Sequence, residues 1–136
     1  MVWPDKSKAE FEELTAFERA GCAQLCVPGE EAAGRIVEAV AADRRIPVEV
    51  LLRPGRGPHT VVLARQVAMY LVHTLLGRRM EEVAYLFGRD RSTVAYACAV
   101  IEDRREEGEL EETVARIEAR LARPVPAPRE MHHAAL

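Results

Sequence analysis

The sequence predicts an all-α domain built around a helix-turn-helix, and three observations carry that prediction. First, Met80, Val83, Ala84 and Phe87 repeat at helical spacing, and Val94, Ala97, Cys98 and Ile101 resume the rhythm after a three-residue break. Second, Val61, Ala64, Val67, Ala68, Leu71, Val72 and Leu75 make a long helix apolar over much of its circumference, as a central buried helix is. Third, Val27-Pro28-Gly29 and the run RPGRGPHT at 53–60 break the chain between other segments of helical rhythm. In the break at 88–90, Gly88 has the backbone freedom to end one helix. Asp90 offers a carboxylate to the free N–H groups that open the next.

In chain order, Ser7 and Glu10 have the spacing of a capping box, which predicts a first helix over Ser7–Cys26. Its apolar positions are Phe11, Leu14, Phe17, Ala20 or Gly21, and Leu25, and the face between them is acidic. That face is either solvated, with the helix packed on the domain, or Phe11, Leu14 and Phe17 dock onto a protein partner. A second helix over Glu30–Asp43 turns Ala33, Ile36, Val37 and Val40 inward. Pro47 opens a short helix through Leu52. The loop 53–60 follows, punctuated by Arg53, Arg56 and His59, with a composition suited to an arm lying along a groove. Thr60 then caps the long helix to Leu76, whose apolar surface is interrupted by Arg65 and Gln66. His73 lies two turns beyond Arg65 and is either a phosphate ligand or half-exposed filler. After the helix-turn-helix, the second helix stops near Gly108, and Leu110, Val114, Ile117 and Leu121 mark a last helix to Ala122. The organisation expected is an acidic helix and linker over 1–28, a domain over 29–123 and a disordered Pro-rich tail over 124–136.

The 136 residues suit one domain, and 49% apolar with 30% charged residues is ordinary for a soluble protein. No apolar run spans a bilayer and the N-terminus lacks a signal-peptide core, so a cytoplasmic, nucleoid-associated location is expected. Cys22, Cys26 and Cys98 fit reduced thiols there. Cys22 and Cys26 would share a helix face, but with no second pair to complete a zinc site they read as buried small side chains. No nucleophile–base pair or metal-ligand set appears, so no enzyme, cofactor or small-molecule substrate is expected. The net charge of −3 is unevenly spread: residues 1–43 carry −5, residues 44–101 carry +5 and residues 102–136 carry −3. The basic excess coincides with the helix-turn-helix, which reopens a nucleic-acid role that the total opposes.

The run Leu63-Ala-Arg-Gln-Val-Ala-Met-Tyr-Leu and the run Glu82-Val-Ala-Tyr-Leu-Phe-Gly-Arg-Asp-Arg-Ser-Thr-Val-Ala-Tyr-Ala-Cys resemble the C-terminal DNA-binding domain of the bacterial replication initiator DnaA. Arg35-Ile-Val-Glu-Ala-Val and Val48-Glu-Val-Leu-Leu match its opening helices, so the resemblance covers about residues 34–121. It implies an all-α fold similar to the Trp repressor's helix-turn-helix. It also implies that Arg89, Asp90, Arg91, Ser92 and Thr93 read bases in the major groove. Arg56, or alternatively Arg53, would enter the minor groove, and Arg65 and Gln66 would touch phosphate. One of the family's two turn glycines is missing, its histidine is Arg91, its first threonine is Ser92, and its basic residue two turns after Arg-Gln is His73. The same docking pose with an altered target sequence is expected. No G-x-x-x-x-G-K-[ST] phosphate loop occurs, so the initiator's ATPase chemistry is not expected.

Physical chemistry supports the same partner. Arg91 can pair bidentately with guanine, and the Thr93 methyl can meet thymine's. Asp90 either accepts from cytosine or caps the helix and orients Arg91, and Arg78 and Arg79 are either solvated or bound to phosphate. The function expected is a double-stranded-DNA-binding transcription regulator, more narrowly an activator of phage-like or gene-transfer-agent genes. Two alternatives are a replication-control protein competing for initiator boxes and a protein adaptor that has lost DNA binding.

Overall fold

A computed structural model describes residues 14–123. Among them there are seven α-helices, one 3₁₀ turn and no strand. The helices are α1 (Ala16–Arg19), α2 (Glu31–Arg44), α3 (Val48–Leu51), α4 (His59–Leu76), α5 (Met80–Phe87), α6 (Arg91–Glu106) and α7 (Glu111–Ala122), with the 3₁₀ turn at Ala23–Cys26. Ser7, Glu10, Phe11 and the tail from residue 124 lie outside the described residues.

The expected long first helix is not continuous. Thr15 and Glu18 repeat the capping-box spacing and form a box: Glu18 N–H donates to Thr15 Oγ1 at 3.1 Å and Thr15 N–H to Glu18 Oε1 at 2.8 Å. Gly21, at φ +85°, then turns the chain after a single helical turn. The segment is part of the core. Cys22 and Leu25 are buried, and a Cβ built on Gly34 of α2 would meet the Phe17 ring at 3.4 Å. Phe17 is half-buried and packs against the core. Cys26 is exposed, against expectation, because in the 3₁₀ turn it no longer shares a face with the buried Cys22.

The long helix α4 is the centre, as its apolar circumference requires. It packs against α2 on one side and α6 on the other, while α7 closes over α2. Leu51, Leu52, Met69, Leu71, Phe87, Ile101 and Ile117 are all but sealed from solvent. Each such side chain contributes roughly 1.5–3 kcal/mol through burial. Pro58, not Thr60, holds the N-cap position of α4, so the helix opens two residues earlier and its first turn has no side-chain cap. At the far end Arg116 of α7 donates to both carboxylate oxygens of Asp43, at 2.8 and 3.1 Å, and ties α7 to α2.

Candidate nucleic-acid interface

The turn between α5 and α6 forms as its residues dictate. Gly88 takes the left-handed conformation at φ 65°, and the Arg89 N–H reaches back to the Ala84 carbonyl at 2.9 Å. Asp90 occupies the N-cap of α6 in extended geometry, and its carbonyl accepts from the N–H groups of Thr93 and Val94. Its carboxylate does not cap the helix, which corrects that expectation and leaves the group exposed. Val94, Ala97, Cys98 and Ile101 are buried, which forces the opposite face of α6 outward. Arg91, Ser92 and Thr93 are exposed on it. Tyr96, 65% exposed, stands one turn further on. The sequence reading passed over Tyr96, although its spacing from Ser92 and Thr93 marks the same face.

A cleft of about 380 Å³ separates this face from the loop before α4. Gly55 and Arg56 form one wall, Ser92, Thr93 and Tyr96 the other, and Arg65, Gln66 and Arg89 lie between them. Arg65 and Arg89 hold the loop in place. Arg65 donates to the carbonyls of Leu51 at 2.8 Å, Arg56 at 3.2 Å and Arg53 at 3.4 Å. Arg89 donates to Gly55 O at 2.9 Å and Arg53 O at 2.6 Å. Two of the residues expected to contact DNA are engaged within the domain. Arg65 is only 5% exposed and its guanidinium serves main-chain carbonyls. Arg89 places its guanidinium on the loop.

Burial lowers the pKa of both guanidiniums, and the charge of Arg89 helps bring Arg65 down to about 10. Both stay charged at neutral pH. Two like charges held near each other in a cleft favour an anion beside them.

The other expected contacts divide. Arg56 lines the cleft, whereas Arg53 lines a separate depression with Arg19 and Glu49. The His73 ring bonds the Arg78 carbonyl through Nδ1 at 2.7 Å, closing the turn after α4. Arg78 forms a two-pronged pair with Glu30 at 2.6 and 3.1 Å, so its charge is committed within the domain. Its guanidinium pKa is raised, first by that hydrogen bonding. Arg79 is 73% exposed and only loosely paired, at 3.6 Å, with Glu82. Among the described residues no group of three His, Cys, Asp or Glu side chains could hold a metal ion, and no helix is long and apolar enough to cross a membrane.

Comparison with known proteins meets this geometry. The chain is similar to chromosomal replication initiator proteins DnaA. The protein of Thermomicrobium roseum is 34% identical over 100 residues, 72% of this chain and 21% of the relative. That of Bifidobacterium animalis subsp. lactis is 37% identical over 73 residues, 53% of this chain and 12% of the relative. DnaA 2 of Chlamydia trachomatis is 39% identical over 75 residues, 55% of this chain and 16% of the relative. The chain thus spans about a fifth or less of the length of these curated relatives. No solved structure matches. The family model for the bacterial DnaA protein helix-turn-helix matches residues 33–101, half of the chain, from α2 through the core of α6. With that match and the observed helix-turn-helix, the chain belongs to the bacterial DnaA helix-turn-helix family.

Proposed function

We propose that the protein binds double-stranded DNA sequence-specifically and regulates transcription. The cleft between the Gly55–Arg56 loop and the Ser92–Thr93–Tyr96 face carries this reading. One strand's phosphates run along it, above Arg65 and Arg89. Arg91, Ser92 and Thr93 enter the major groove from the first turn of α6, the end of a recognition helix that meets bases. Arg56 reaches the adjacent minor groove from the loop, and Arg79 and Gln66 contact the backbone. The roles of Arg65 and Arg89 are to fix the arm and to supply field, not to read sequence. The family membership and the +5 charge of residues 44–101 support the same partner.

A second reading, replication control by competition for initiator boxes, is favoured by one observation: the relatives are replication initiators. Genome-wide occupancy in the source organism separates the two. Peaks at promoters are the expected result, peaks confined to the replication origin would transfer the function to replication control, and no peaks at all would leave a protein adaptor.

A further inference from the structure

We propose that Glu81 is a specificity-determining positioning residue: its carboxylate holds the Arg91 guanidinium by the inner nitrogen and keeps it off the phosphate backbone. The inference rests on the DNA-binding reading above and concerns a residue that reading leaves without a role.

Glu81 is the second residue of α5 and Arg91 the first of α6, so the beginnings of the two helices meet beside the turn. Glu81 Oε2 lies 3.5 Å from Arg91 Nε, with the two side chains 59% and 61% exposed. The engaged atom matters. A guanidinium engaged at Nε leaves both terminal nitrogens available, and parallel donation from such a pair is what guanine O6 and N7 accept. A free arginine at the same place would turn to the nearest phosphate, which carries no sequence information. Hydrogen bonding from its own main-chain N–H, followed by the charges of Arg91 and Arg79, holds the Glu81 carboxyl below the ordinary glutamate range. The exposed pair is weak in water. It strengthens when DNA docks and excludes solvent. The same negative charge repels phosphates whenever Arg91 finds no guanine, so it penalises wrong sites more than right ones.

Selection from randomised DNA and salt titrations on the full chain, with Glu81→Gln, Arg91→Ala and the double variant, test the proposal. Glu81→Gln should raise affinity for non-cognate DNA roughly 3- to 10-fold while cognate affinity stays within about twofold. The slope of log K against log salt should steepen by up to about 0.9, one added phosphate contact. In the Arg91→Ala background, Glu81→Gln should leave the cognate-to-non-cognate ratio unchanged. An equal fall on both DNAs with a lowered Tm would make Glu81 a helix-end residue only and overturn the inference. So would a Glu81→Gln effect on the ratio that persists without Arg91. If Arg91→Ala alters base preference and Glu81→Gln matches wild type, only the Glu81 role falls. If wild type selects no sequence, the DNA-binding reading falls and this inference with it.

Discussion

Arg65 and Arg89, 24 positions apart, donate to the same main-chain oxygen, that of Arg53. One comes from the central helix and the other from the helix-turn-helix turn, so the loop between α3 and α4 is fastened from both sides. Their energetic shares differ because their acceptors differ. Arg65 also satisfies the buried Leu51 carbonyl, whereas the remaining acceptor of Arg89, Gly55 O, is exposed.

Arg65→Ala should therefore lower stability by about 2–4 kcal/mol, since a buried acceptor loses its donor. Arg89→Ala should cost about 1 kcal/mol or less, because water replaces it. Its DNA affinity should nonetheless fall on all sequences. Denaturant melts and binding isotherms of the two variants check the split, and equal stability losses would contradict it.

Arg56→Ala should weaken binding most at sites with a narrow, A·T-rich flank, where an inserted guanidinium meets concentrated negative potential. The loop is already fastened in the free protein, so little ordering entropy offsets this contact. Affinity measured on paired wide- and narrow-groove flanks decides it. An equal loss on both would reduce Arg56 to a phosphate contact.

Arg91→Ala should flatten preference at one base-pair position, at a cost of about 1–3 kcal/mol against the right base, with smaller loss on non-specific DNA. Arg91→His should move preference toward the initiator's own boxes. Selected sequence logos check both, and an unchanged logo in each would remove Arg91 from base reading.

Asp43 gives a pH prediction remote from the cleft. Hydrogen bonding to Arg116 is the main cause holding its carboxyl below the ordinary aspartate range, and its side chain is only 6% exposed. A carboxyl with a depressed folded pKa stabilises the fold above its unfolded value of about 3.9, and that contribution fades as pH falls through the folded value. Asp43→Asn should lower Tm by about 2–5 °C at neutral pH, and the gap to wild type should close below about pH 4. A gap that persists in acid would assign the loss to packing alone.

The helices from α2 onward were legible because each buries a stripe at 3.6-residue spacing, and Gly88 and Gly108 interrupt it with residues that tolerate positive φ. The first helix was legible only in part because Thr15 opens a capping box inside the expected span, and Gly21 stops that helix after one turn. The exposed face of α6 followed from its buried positions, yet the allotment of the arginines did not. Arg65, Arg89 and Arg78 carry the charge of DNA-binding residues, but spatial proximity gives their donors to carbonyls and to Glu30. Nothing in their local sequence distinguishes them from Arg56 and Arg79, whose side chains stay exposed. Sequence spacing sets which helix face a charge lies on, and only the fold decides whether an acceptor waits there.

The fastened loop makes the molecule a calliper. Its two jaws, the Arg56 tip and the first turn of α6, belong to one body, because Arg89, the residue before the helix's cap, donates to the loop. A jaw on a slack tether would tolerate an extra base pair between the two sub-sites. On the proposed DNA-binding reading, one inserted pair would displace its contact by about 3.4 Å along the helix axis, more than a hydrogen bond can stretch, so the length of DNA recognised would be as much a property of the site as its letters.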